Sequence, residues 1–235
     1  MKHMKLPQLT ERGENYLRKQ KRYGKWFDSE ETTIEYFLNQ QIDIPDVFLD
    51  LQLQYSGYEF SCHRKHNFSF FLISKGQIAG NKPLQLTRAN NERLLEINEG
   101  YATAQFTFYV NSQGEICTYG CETNSTIVPL YSSIDVLIEE CAYKDLLYRR
   151  EIADFSHHHV ADKTKLCKYL SAQYKKVMPC SDKYATWFEN NQISIQIAPW
   201  YGGEGYYLCT YCTDRNIIDT LINQLYGLEL LVNNF

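Results

Sequence analysis

FTFYVNSQGEICTY, residues 106–119, decides the fold class. Phe106, Phe108 and Val110 alternate with Thr107 and Tyr109, the two-residue period of a half-buried strand. Asn111-Ser112-Gln113-Gly114 then turns the chain, and Ile116 to Tyr119 returns beside the first strand as a hairpin. Outward from this hairpin the same period recurs at Phe68, Phe70 and Leu72, which alternate with Ser69, Phe71 and Ile73. Arg93 to Asn98 is a weaker strand between the two. After the hairpin, Ser132 or Ser133 caps a helix in which Ile134, Leu137, Ile138 and Cys141 form one apolar stripe. Three or four antiparallel strands flanked by helices make an α+β domain.

Toward the N-terminus the period is helical. Asp28 and Glu31 have capping-box spacing, and Ile34, Phe37 and Leu38 follow as an inward stripe, so a helix is expected over about 29–40. Pro45 suits a first helical turn, and Phe48, Leu51 and Tyr55 carry a second helix to about Gln54 before Gly57 stops it. Thr10 to Arg22 reads as a polar helix or basic arm. Toward the C-terminus, Glu151 to Asp162, with its three consecutive histidines, reads as a connection. The division is therefore 1–150, expected to close a core of its own, and 151–235, a smaller helix–hairpin–helix unit. In the latter, Asp162 to Lys176 looks helical, Gln192 to Pro199 and Tyr206 to Cys212 are strands joined through Gly202-Gly203-Glu204-Gly205, and Ile217, Ile218, Leu221, Ile222 and Leu225 make a closing helix.

The chain has 235 residues, 44% of them hydrophobic and 14% aromatic, enough to bury roughly 70% of the unfolded surface and to fold without disulfides or metal. No run approaches the ~18 apolar residues of a membrane helix, and Met1 to Lys5 lacks the apolar core of a signal peptide. A cytoplasmic location and free thiols are the expectation.

The net charge of −4 is unevenly divided. Residues 1–27 carry eight bases (Lys2, Lys5, Arg12, Arg18, Lys19, Lys21, Arg22, Lys25) against Glu11 and Glu14. Residues 28–60 carry eight acids and no Lys or Arg. Such a segment is either a solvated helix face paired with the basic helix beside it, or a docking surface for a basic protein.

Chemistry-bearing residues are sparser than their number suggests. Cys209 and Cys212 have the spacing of a metal or redox pair, with Cys117 and Cys121 as further thiolates, but on a strand residues three apart point to opposite faces. His157, His158 and His159 diverge around any regular backbone, and His63 and His66 sit in an expected loop. The glycines at 202–205 lack the Lys-Ser/Thr and following helix of a phosphate cradle. Nucleic acid could meet Arg18 to Lys25, but the acidic segment opposes it.

An acidic amphipathic helix, then Ile42-Asp43-Ile44-Pro45-Asp46-x-Phe48, Tyr55-Ser56-Gly57, a sheet with a turn at Gly114 and an Ile134-Asp135 helix together resemble the SUKH superfamily, over about residues 27–148. That superfamily includes yeast cell-wall-synthesis regulators and many bacterial immunity proteins. The resemblance implies a non-enzymatic, cofactor-free binding protein of the bacterial cytoplasm that neutralises a toxin, often a nuclease. Nucleases are basic because they bind phosphates, so an acidic inhibitor face speeds association and covers the substrate site. Charge and helix position single out Glu30, Glu31, Glu35, Asp46, Asp50 and Glu59, with Tyr55 and Tyr58 as aromatic anchors. The alternatives are a regulatory or scaffold protein of the same fold, and a metal-dependent enzyme built on the Cys and His groups.

Overall fold

The computed structural model describes residues 9–62, 66–98, 106–119, 126–149, 153–201 and 204–232, and within them helices and antiparallel sheets make an α+β fold. Thr10 caps α1 (Glu11–Leu17), its hydroxyl accepting from the Gly13 amide at 3.3 Å. The strand β1 (Lys21–Arg22) and a 3₁₀ turn at Gly24–Trp26 lead to α2 (Glu30–Leu38), α3 (Asp46–Gln54) and the strands β2 (Tyr58–Cys62) and β3 (His66–Phe70). These strands form a three-stranded sheet in the order β1-β2-β3, with Lys21 opposite Glu59 and Arg22 opposite Tyr58. His66 therefore heads a strand instead of lying in a loop, and His63 falls outside the described residues.

Two details of the first helices differ from the sequence expectation. The cap of α2 is Ser29, whose Oγ accepts from the Thr32 amide at 3.2 Å, while Asp28 accepts from the Ser29 amide at 2.8 Å and pairs with Lys75 at 3.4 Å. The buried face of α2 is Thr33 and Tyr36, with Phe37 partly covered, and Leu38 points outward at 78% exposure. Tyr36 wins the inward position because its ring is buried while its hydroxyl still donates to the Lys82 carbonyl at 3.0 Å. In α3 the expected stripe holds, with Phe48, Leu51 and the following Tyr55 all buried.

After α4 (Lys75–Ala79) comes a five-stranded meander of β4 (Thr87–Ala89), β5 (Glu92–Ile97), β6 (Phe108–Val110), β7 (Ile116–Thr118) and β8 (Val128–Tyr131), in that order. Its central hairpin closes through a Gly114 amide to Asn111 carbonyl bond of 2.9 Å. Gly114 has φ +82, and a Cβ there would lie 2.8 Å from the Val47 side chain of α3. The hairpin is covered on both faces, not one. Phe108, Val110 and Ile116 enter the main core, while Tyr109 and Cys117 join Ala89 and Leu94 in a small core on the other side.

The longest helix, α5 (Ile134–Arg149), starts where the Ser133 hydroxyl accepts from the Val136 amide at 3.4 Å. It buries the expected Ile134, Leu137, Ile138 and Cys141, and also Glu139, Glu140, Tyr143, Leu147 and Tyr148. Residues 153–160, expected as a connection, are instead the strand β9 (Ala153–Val160), inside a six-stranded sheet. That sheet is completed, around α6 (Lys163–Ser171), by β10 (Lys175–Lys176), β11 (Thr186–Glu189), β12 (Ser194–Pro199) and β13 (Tyr206–Cys212), and, after α7 (Arg215–Gly227), by β14 (Leu231–Val232). Its order is β10-β11-β12-β13-β9-β14. The histidines suit a strand because alternate faces offer rings to pack on: His157 and His159 lie beside Trp200 and Tyr207, and His158 contacts Tyr226 on the other side.

One face of this sheet packs with α6 and α7 around Leu166, Leu170, Ile195, Leu208 and Leu225. Trp187, Ala198, Tyr207, Cys209 and Tyr211 belong instead to the main core that contains Phe48, Phe60, Val110 and Ile138. The apolar core thus crosses position 150. One pattern also recurs along the chain: a helix, a two-residue strand and a 3₁₀ turn run from 11 to 26 and again from 163 to 180, and each short strand pairs antiparallel with the next one, β1 with β2 and β10 with β11.

Candidate functional site

The eight acids of residues 28–60 are not equivalent once folded. Glu30, Glu31 and Glu35 lie exposed on α2, and Asp46 lies exposed at the start of α3, with Asp50 half-buried one turn on. The helices α2 and α3 pack against each other, which places these five carboxylates on neighbouring elements. None of the five makes an ion pair among the described residues. Burial pushes the Asp50 carboxyl above its ordinary range, and Asp46 adds to this through like charge.

The remaining acids are engaged. Asp43 pairs with Arg93 at 3.1 Å and Asp28 with Lys75 at 3.4 Å. Glu59 accepts from the Tyr23 hydroxyl at 3.3 Å and stands across the sheet from Lys21. Neither tyrosine proposed as an anchor is free to insert into a partner. Tyr55 is 2% exposed and donates to Asp135 at 2.8 Å, and Tyr58 is half-buried, stacked on Phe60 with the Arg22 guanidinium 5.2 Å from its ring. A tyrosine at the last turn of an amphipathic helix continues its buried stripe, which is why Tyr55 goes inward.

Among the described residues, the basic arm makes no ion pair with α2. Arg12 reaches Glu139 of α5 at 3.2 Å, Arg18 pairs with Glu14 at 3.0 Å, and Lys25 lies over the Trp26 ring at 5.3 Å. Arg22 caps the C-terminal end of α3, donating to the Leu53 carbonyl at 2.8 Å and the Ser56 carbonyl at 3.0 Å, a favourable place for a cation. Lys2 and Lys5 fall outside the described residues. The helix α1 packs on α5, and among the described residues none of its bases pairs with an acid of α2 or α3.

Sequence reasoning missed two residues of this face. Leu38, 78% exposed, ends α2, and Ile42, 42% exposed, lies in the bend that follows, between Glu35 and Asp46 in the chain. Helical spacing with Ile34 and Phe37 predicts an inward Leu38. The contrary signal was Thr33-x-x-Tyr36, a competing stripe with a small polar residue and an aromatic ring. Exposed large apolar residues mark contact surfaces more often than charge alone.

The cysteine and histidine groups are dispersed. Cys209 enters the main core and Cys212 the core under α6 and α7, so the two thiols occupy opposite faces of β13. Cys117 lies in the small core beside Tyr109, where burial pushes its thiol up to about 12. Among the described residues no three His, Cys, Asp or Glu side chains are grouped to hold a metal ion, and no helix is long and apolar enough to cross a membrane. Cys121, Gly202 and Gly203 lie outside the described residues. No protein-family model matches the chain, and no curated protein or solved structure matches it.

Proposed function

We propose that this chain is a non-enzymatic binding protein whose α2–α3 face docks on a basic protein, and that it acts as a cytoplasmic immunity protein against a basic, nuclease-like toxin domain. The observation that carries the reading is the set of Glu30, Glu31, Glu35 and Asp46, exposed and without ion-pair partners among the described residues, with the exposed Leu38 and Ile42 between Glu35 and Asp46 in the chain. Uncompensated carboxylates steer a basic partner from a distance, and an apolar pair within them supplies the desolvated contact that slows dissociation. The resemblance to the SUKH superfamily points the same way, since it implies a toxin partner that is often a nuclease. Nucleic acid is disfavoured as a partner for this face by the sign of its charge.

Capture from the native cell tests the reading, with the wild-type chain and a Glu30→Lys, Glu31→Lys, Glu35→Lys variant as paired baits. A basic protein enriched by the wild type and lost with the variant supports it. Equal enrichment on both baits removes this face from the account, and a neighbouring gene for a large toxin separates the immunity role from a scaffold role.

A further inference from the structure

Cys62 on β2 and Cys141 on α5 sit on two elements that pack against each other, and their thiols are within hydrogen-bond reach. The Cys62 thiol also donates to the Cys141 carbonyl at 3.4 Å. The Tyr16 hydroxyl lies close enough to reach the same sulfur, while donating to the Ser61 carbonyl at 3.2 Å. Both cysteines are free and buried. A groove of about 560 Å³ between α1, β2 and α5 is lined by Tyr16, Ser61 and Ala142, the hydrogen-bonding neighbour or the chain neighbours of the two thiols, while neither cysteine lines it.

The two sulfurs differ in character. The contact with Cys141 pulls Cys62 below the ordinary thiol range against the cost of burial, with help from Lys144 and Tyr16 and opposition from Asp145. Cys141 is pushed the other way by the same contact and by burial. A thiol with donors around it is the one that reacts as thiolate, and a second thiol in reach resolves the product. Ordinary buried cysteines are inert because they lack both features.

We propose that Cys62 and Cys141 are a peroxide-responsive dithiol that closes to a disulfide, with Cys62 reacting first. The Cys62 thiolate attacks a hydroperoxide oxygen, forming an S–O bond as the O–O bond breaks and hydroxide leaves. The Cys141 thiol then attacks the Cys62 sulfenic acid, forming the S–S bond as the S–O bond breaks. Water leaves, taking the thiol proton. With hydrogen peroxide, both thiols are oxidised and the peroxide is reduced to two waters. The bridge ties β2 to α5 across 79 positions of chain, independently of any partner on the α2–α3 face.

The test is hydrogen peroxide treatment of the intact, folded chain, alkylation of remaining thiols, digestion without reductant and mass spectrometry. A Cys62–Cys141 linked peptide, lighter by two hydrogens and lost on reduction, is expected before the half-buried Cys167 is oxidised. Dimedone is expected to label Cys62 in Cys141→Ser, and Cys167→Ser is expected to leave the linkage unchanged. Recovery of Cys62 and Cys141 as free thiols at doses that oxidise Cys167, or linkage formed only in denaturant, overturns the proposal. The wild-type result decides on its own if Cys141→Ser does not fold.

Discussion

The indole N–H of Trp187 donates to the buried carboxylate of Glu140 at 2.9 Å, joining a residue before position 150 to one after it. Glu140, 1% exposed, also accepts from Gln196 at 3.0 Å, Tyr131 at 2.9 Å and Lys144 at 2.8 Å, so its lone pairs are satisfied from both parts of the chain. Tyr184 adds a bond of 2.8 Å to Glu115, and Thr118 one of 2.6 Å to the Tyr201 carbonyl.

The expectation that residues 1–150 close a core alone meets a core and a hydrogen-bond network that both span position 150. Cutting after 150 removes two donors from Glu140 and bares the face of α5 that Trp187 and Tyr211 cover. The fragment 1–150 is expected to show no cooperative urea transition and no near-ultraviolet circular dichroism. A sigmoidal transition with a native-like aromatic signal would mean that the first half is autonomous.

Glu140→Ala leaves the Lys144 ammonium without its carboxylate in a site lined by Tyr131, Tyr207 and Tyr211. Burial alone would lower this lysine, and Glu140 with the tyrosines holds it above its ordinary range. Breaking a buried pair by removing one partner costs about 3–5 kcal/mol, read as a shift in urea midpoint. A loss under about 1 kcal/mol would show that water reaches the site.

His158 supplies a pH dependence. Burial, and then the neighbouring His157, lower its proton affinity in the folded state, where its ring lies 3.1 Å from the Tyr226 hydroxyl. The unfolded chain then binds the proton more readily, so stability is lost as pH falls below about 6.5, down to the lowered folded value. His158→Asn is expected to lose less stability than the wild type between pH 7.5 and 5.5. An equal loss in both would assign the effect to other groups.

The hairpin at 106–119 was legible because strand period and turn chemistry agree there, and α3 and α5 because each carries an unbroken apolar stripe. The strand β9 was not legible, since Ser156 to His159 is polar by composition and only the distant Trp200, Tyr207 and Tyr226 give its histidines places to pack. The acidic face was readable as charge, because carboxylates without bases nearby in sequence must find solvent or a distant cation. Its apolar part was hidden by rotation of α2: the choice between Leu38 and Tyr36 for the buried side depends on the Lys82 carbonyl, 46 positions away.

Leu38→Ser separates contact from folding. A side chain 78% exposed contributes little to stability, so the unfolding midpoint is expected to move by no more than about 0.5 kcal/mol equivalent, while dissociation of the captured partner quickens. An unchanged off-rate would place Leu38 outside the contact.

The most direct measurement of the central claim is the association rate of the captured partner at low salt and at about 1 M, where the Debye length is near 3 Å, for the wild type and for the variant with Glu30, Glu31, Glu35, Asp46 and Asp50 replaced by Lys. The account predicts that the wild-type rate falls by about tenfold or more with salt, and that the variant binds slowly at low salt with little further loss. Equal rates and equal salt dependence for the two chains would contradict it.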